Sequence, residues 1–218
     1  MKVKAFLFDC DGTVINTNRL VLNSWRTATN FFLPGKLVTD YDIKKYYGQP
    51  LEESATLLAE EFGVTDYDLK EIADVYWTYH GSHHCDIDGL FPTVEGALRA
   101  LKEKGAKIGI VTSGLSANCS KELEGLGVRE LFDAIVGADD VTEPKPSPQP
   151  ALICCKKLGV APEDAMMIGD SKHDISCGNS AGCHTAMVGW TECILENLEE
   201  SQKADITLTD ANQLVEYI

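Results

Sequence analysis

The sequence predicts a doubly wound α/β core, a parallel sheet with helices on both faces, interrupted after its first strand by an all-α insertion. Three observations carry this expectation. An apolar run, VKAFLF, opens the chain and stops at an acidic loop. Four amphipathic stretches follow with no strand pattern between them. From Thr93 onward, helix-period and buried-strand patterns alternate, which is the arrangement that builds a parallel sheet.

The opening run is short and ends in carboxylates, so it reads as a buried strand rather than a membrane segment. The four amphipathic stretches, 20–32, 41–47, 51–62 and 67–79, place apolar residues three or four apart and read as helices. Pro34-Gly35, Gly48, Gly63 and the polar GSHHCDIDG punctuate them. Thr93 can cap a helix that runs to Lys104 and stops at Gly105. KIGIVTSG then reads as a buried strand leaving into a polar loop. A helix from about Ser116, a strand at AIVGA, a helix from about Pro148, a strand at AMMIGD and a helix through Ser180 follow, and HTAMVGW and DITL supply the last strands. The expected division is a core of 1–15 and 86–218 with a helical module of 16–85 acting as a lid over one sheet rim.

The chain of 218 residues carries a formal charge of −15. That charge argues against nucleic acid or an anionic membrane surface as a partner, because phosphate backbones are bound by clustered Lys and Arg. A small anionic substrate would need a local cation. The eight cysteines, at 10, 85, 119, 154, 155, 177, 183 and 193, have no regular spacing. Reduced thiols in a cytoplasmic protein account for them more simply than a disulfide framework. Cys154 and Cys155 are neighbours on a predicted helix and are expected to differ in exposure, since adjacent side chains point about 100° apart. Trp25, Trp77 and Trp190 fall in apolar patterns and are expected to pack in cores.

Ligands of open α/β sheets bind at the carboxyl ends of the strands. Asp9, Thr112 and Asp170 each follow an apolar run, so all three are expected at one rim. Phosphate esters are anionic and slow to hydrolyse. A catalyst for them needs an aligned nucleophile, a proton donor for the leaving oxygen and positive charge around the transferring group. Asp9 and Asp11 stand two apart at a strand end, where one could attack while the other handles protons. Gly12 permits a tight turn and Thr13 closes the motif. Thr112, with the backbone amides of Ser113 and Gly114, could bind phosphoryl oxygens, and Lys145 in EPKP could neutralise them. GDSKHD offers Asp170 and Asp174 to a hard cation that prefers oxygen ligands, for which Mg²⁺ is expected. Each element alone has a plain reading: a loop start, a strand exit, a surface lysine, a capped helix. Four of them in this order, each at a strand end or loop, point to phosphoryl transfer on a small phosphorylated substrate.

These residues resemble the haloacid dehalogenase superfamily, whose four motifs are matched by DCDGT, the Thr112 loop, Lys145 in EPKPSPQP and GDSKHD. The resemblance implies a Rossmann-like core with a type 1 helical cap. It implies that Asp9 forms an aspartyl-phosphate and that Asp11 acts as general acid and then base. Mg²⁺ would be held by Asp9, Asp170 and the backbone carbonyl of Asp11, with Asp174 in support through water or Lys145, while Thr112 and Lys145 bind phosphate. Dehalogenases lack a second aspartate like Asp11, so that reading is disfavoured. In β-phosphoglucomutases a cap histidine and arginine fall where Val21 and Leu51 stand here, and Thr13 is typical of phosphatases. The runs DGTVINTNRLVLNSW, HGSHHCD and GDSKHDISCGNSAGCHTAMVGWT are most similar to phosphoglycolate-phosphatase-type enzymes and bacterial pyrophosphatases. A phosphosugar mutase, a phosphoacceptor domain and a catalytically silent binding protein are the alternatives. His80, His83, His84 and Cys85 could ligate a soft metal, although a polar hinge explains them as well. His173, between two motif carboxylates, could orient a ligand.

Overall fold

The computed structural model describes residues 2–83, 87–194 and 198–218. The described chain divides into two compact units, one of 2–16, 89–191 and 198–218, the other of 17–83, 87–88 and 192–194. No helix among the described residues is long and apolar enough to cross a membrane.

The first unit is a six-stranded sheet with strands β1 Ala5–Phe8, β2 Lys107–Val111, β3 Ala134–Val136, β4 Ala165–Gly169, β5 His184–Val188 and β6 Ile206–Leu208. Their spatial order is β3-β2-β1-β4-β5-β6, and every pairing is parallel. The sheet reverses direction of growth at β1, and its register sets Phe8 opposite both Ile110 and Ile168. The residues that follow β1, β2 and β4 therefore leave the sheet at one rim. Successive strand residues point to opposite faces. Leu7, Val111, Val136 and Met167 belong to a cluster with Ala151, Cys154 and Leu158, while Phe6, Phe8, Ile108, Ile110, Met166 and Ile168, of the other parity, are equally buried. Both faces are covered, as a parallel sheet requires.

The helices are α1 Asn18–Phe32, α2 Asp40–Lys44, α3 Leu51–Glu61 and α4 Leu69–Ser82 in the second unit, and α5 Val94–Glu103, α6 Ser116–Gly125, α7 Gln149–Leu158 and α8 Lys172–Ala181 in the first. The helical unit has its own core of Trp25, Ala28, Phe32, Ile43, Tyr47, Leu58, Ile72 and Tyr76, with the Trp25 and Tyr76 rings edge to face at 5.2 Å. Residues 192–194 join it through a Glu192–Lys44 ion pair of 2.7 Å and a hydrogen bond from the Ile194 amide to the Lys44 carbonyl at 3.4 Å.

Several expectations need correction. Cys154 and Cys155 are both buried, because α7 packs on the sheet and also against α8, which covers neighbouring strands: Cys154 approaches the Ile110 carbonyl at 3.8 Å, and Cys155 meets Cys183. A helix enclosed on two sides hides neighbouring residues alike. Trp77 is 57% exposed; it faces outward on α4 and contacts the Tyr76 and His80 rings. Trp190 is half-buried and uses its indole nitrogen as a donor. Thr93 stands at the start of α5 but does not cap it with its side chain, since its backbone is left-handed (φ 67°) and its hydroxyl accepts from the Ala211 amide at 3.3 Å instead. The second amphipathic stretch keeps only five residues as helix, begun by a reciprocal Thr39–Asp42 capping box.

One carboxylate ties α5 to the sheet. Asp133 accepts from Lys102 Nζ at 2.7 Å and from the Ile108 amide at 2.9 Å. Partial burial works against its ionisation, yet these two donors outweigh it and hold the carboxyl below its ordinary range. A depressed carboxyl stabilises the fold above the unfolded-chain value near pH 4 and loses that contribution as pH falls through the lower folded value. Asp133→Asn is expected to cost about 1–2 kcal/mol at neutral pH, for a pair that is partly solvated. Thermal melts should show the gap from the parent closing as the solution is taken into acid.

Candidate active site

Asp9 leaves the end of β1, Thr112 the end of β2 and Asp170 the end of β4. All three are buried. Lys145 arrives from the loop between β3 and α7, and Asp174 from the first turn of α8. The Lys145 ammonium is the hub: it donates to Asp9 Oδ1 at 2.6 Å, to Asp174 Oδ1 at 2.6 Å and to the Val111 carbonyl at 3.1 Å. Its side chain is only 5% exposed. Burial alone would pull the lysine down, but Asp174 and Asp9 outweigh burial and hold its ammonium above the usual lysine range.

Asp174 is shared between two tasks. Its Oδ1 faces Lys145, while Oδ2 accepts from the Ser171 amide at 3.1 Å and hydroxyl at 2.7 Å. Ser171 in turn caps α8 by accepting from the Asp174 amide. The helix cap thus fixes the carboxylate that orients Lys145. Gly169 makes room for it, since a Cβ there would lie 2.3 Å from Asp174 Cβ and Cγ.

Carboxylate oxygens of Asp9, Asp170 and Asp174 lie within 4.8 Å of one another. Burial and the neighbouring Asp174 push the Asp170 carboxyl up to about 7. Burial likewise raises Asp9 well above the carboxylate range, with Lys145 opposing. Three carboxylates against one ammonium leave the pocket short of positive charge, and hard oxygen donors at this spacing suit a divalent cation such as Mg²⁺. Gly12 completes the cradle: its φ is +78°, and a Cβ would stand 2.3 Å from Asp170 Oδ2. The donor set and the close backbone approach fit a resident cation.

Asp11 is exposed and is not among the three clustered carboxylates. β1 ends at Phe8, and residues 12–14 turn back so that the Gly12 amide donates to the Ile15 carbonyl at 3.0 Å. The two motif aspartates therefore occupy different environments, one dry and paired with Lys145, the other open to water.

The Thr112 loop is braced from β3. The Thr112 amide donates to the Val136 carbonyl at 3.0 Å, and the Ala138 amide to the Gly114 carbonyl at 2.9 Å. Ser116 donates its amide and hydroxyl to Asp139 at 2.8 and 2.7 Å. Gly137 allows this approach, as a Cβ would come within 2.4 Å of the Ser116 nitrogen. The Gly114 amide donates to Thr112 Oγ1 at 3.0 Å, so that oxygen accepts within the loop and its own proton is left to donate elsewhere. Ser113 and Gly114 are exposed.

The structure also brings to the rim residues that pattern reading passes over. Thr191 Oγ1 donates to Asp170 Oδ2 at 3.0 Å, and Trp190 Nε1 to the Thr13 carbonyl at 3.1 Å. Nothing local in GWTE announces this. Ser171 had a signal, because Ser-x-x-Asp at 171–174 is a capping-box pattern. His173 is half-buried on the first turn of α8. His80 stacks on Tyr76 and shares a 3.3 Å contact with Ser24, and His83 stacks on Tyr79; His84 and Cys85 lie outside the described residues.

A family model described as haloacid dehalogenase-like hydrolase matches residues 6–188. A pyrophosphatase PpaX of Bacillus velezensis is 34% identical over 190 residues, 87% of this chain and 85% of that protein. Among solved structures, a predicted phosphoglycolate phosphatase from Haemophilus somnus superposes with a TM-score of 0.82 at 24% identity, covering 99% of this chain and 98% of that one. A β-phosphoglucomutase from Clostridium difficile gives 0.73 at 26% identity, covering 97% and 93%.

Proposed function

Because the chain belongs to the haloacid dehalogenase-like hydrolase family and is a phosphatase or pyrophosphatase, we propose that it hydrolyses a small phosphoanhydride or phosphomonoester, with pyrophosphate foremost, through Mg²⁺-dependent phosphorylation of Asp9. The observation that carries this reading is the buried Lys145 ammonium joined to Asp9 and Asp174 beside Asp170. Pyrophosphate is placed first because the PpaX pyrophosphatase of Bacillus velezensis matches along nearly the whole chain.

In this reading an Asp9 oxygen attacks phosphorus, the bond from phosphorus to the leaving oxygen breaks, and Asp11 gives that oxygen its proton. Water, deprotonated by Asp11, then cleaves the acyl phosphate, releasing phosphate and restoring Asp9. Exposure of Asp11 lets it exchange protons with solvent between the halves. Lys145 holds one Asp9 oxygen, leaving the other to attack. The Thr112 hydroxyl, which accepts from the Gly114 amide, donates its proton to an oxygen of the transferring group. Mg²⁺ held by Asp9, the Asp11 carbonyl and Asp170, with Asp174 in support, would offset negative charge on substrate and carboxylates.

The mutase alternative is disfavoured by two side chains. Val21 and Leu51 pack with the apolar core of the helical unit, at the positions where mutases carry the cap histidine and arginine. The deciding experiment is phosphate release with Mg²⁺ from a panel of pyrophosphate, phosphoglycolate and hexose phosphates, ranked by kcat/KM. Pyrophosphate should rank first; a hexose phosphate at the top would displace it, and no release from any member would overturn hydrolysis.

A further inference from the structure

The residues just after β5 make hydrogen bonds that lead from the sheet edge to the site. First, the Gly189 amide donates to the Leu208 carbonyl at 2.7 Å, and a Cβ at 189 would stand 3.0 Å from that oxygen, so the backbone is held close to β6. Next, the Trp190 indole donates to the Thr13 carbonyl at 3.1 Å, tying the loop to the turn that contains Gly12. Last, the Thr191 hydroxyl donates to Asp170 Oδ2 at 3.0 Å. That oxygen is also the Asp170 atom that a Cβ on Gly12 would meet first, at 2.3 Å.

A carboxylate rotates easily about its last torsion, where the wells are broad and two-fold. Asp170 has Gly12 beneath it and gains no side chain from that residue to stop it turning. A hydroxyl donor held by two anchors adds a restraint at one Asp170 oxygen. We propose that Thr191, held in place by Trp190, is a positioning residue for Asp170: its hydroxyl commits Oδ2 to the protein and so presents the other oxygen to the divalent cation. The inference rests on the reading of Asp170 as a cation ligand. Partners of this kind, which orient a ligand without touching the metal, change affinity by about 10–100-fold when removed.

The test is calorimetric titration of Mn²⁺ into the substrate-free full chain, for the parent and for Thr191→Val, Thr191→Ala, Thr191→Ser, Trp190→Phe and Asp170→Asn, with melting curves for each. Thr191→Val and Thr191→Ala should weaken Mn²⁺ binding by about 10–100-fold. Thr191→Ser, which keeps the hydroxyl, should restore it to near the parent. Trp190→Phe, which loses the indole donor and part of the ring, should fall between. With Mg²⁺ as activator, the hydroxyl-free variants should need more cation for half-maximal rate yet approach the parental kcat at saturation, a split that a loss of fold would not produce. Parental Mn²⁺ affinity in both hydroxyl-free variants, with binding lost in Asp170→Asn, would overturn the positioning role alone. Parental affinity in Asp170→Asn would instead remove Asp170 as a ligand, and the role of Thr191 with it. Comparing Ala with Val guards against a failure to fold at one of them.

Discussion

Asp9→Asn is expected to leave the fold intact and to lower kcat/KM for phosphate release by at least about 10⁴-fold, the scale on which removal of a covalent nucleophile acts. The amide cannot form a stable acyl phosphate by attack on phosphorus, so the first bond-making step has no nucleophile. It can still accept a hydrogen bond from Lys145, whose second carboxylate partner, Asp174 at 2.6 Å, is unaffected. The substitution also removes one negative charge from a pocket that holds three buried carboxylates and a single ammonium. Stability should therefore hold or rise while activity disappears. That combination separates the proposed chemistry from a structural role, and activity near the parent's would exclude Asp9 as nucleophile.

Lys145→Met should differ from Asp9→Asn in stability, with large losses of both stability and activity. The ammonium is buried between Asp9 and Asp174. Removing it leaves two uncompensated carboxylates close together in a dry site, a change that costs about 3–5 kcal/mol in comparable pairs. For a chain of this length that corresponds to a fall in Tm of roughly 6–20 °C. The pH dependence follows from the same charges. Burial already holds the Asp9 carboxyl above its ordinary range, with Lys145 opposing; without the ammonium that opposition is gone, so the folded variant binds more protons there than the parent and loses stability more steeply as pH rises. Melting curves should show the gap from the parent narrowing as the solution is taken toward acid and Asp9 takes up its proton. A gap that widened toward acid would show that the loss has another origin.

Much of the fold is legible in the sequence because its signals are local. The AFLF and AMMIG runs are short, apolar and stopped by acidic loops, and both became central strands, β1 and β4. Amphipathic stretches without intervening strand patterns became helices, since a 3.6-residue period needs no knowledge of the partner it packs against. Aspartates just past two of these runs fall at one rim because parallel pairing aligns strand ends. Where local reading failed, a distant surface had intervened. Cys154 and Cys155 are both hidden because α7 has neighbours on two sides, and Thr93 gives its hydroxyl to a residue 118 positions away instead of to its own helix.

The sequence by itself determined the α/β class, the helical insertion and the residue types that phosphoryl transfer requires, since these depend on periodicity and on chemistry carried by single side chains. Only the tertiary structure decided how those side chains share their hydrogen bonds. Lys145 reaches Asp9 across 136 positions of chain, Asp174 divides its two oxygens between a helix cap and that lysine, and Thr191 takes one oxygen of Asp170. The physical reason is directional. A hydrogen bond depends on where two atoms end up within about 3 Å of each other, and for groups so far apart in the chain that is set by the packing of the whole sheet and its helices.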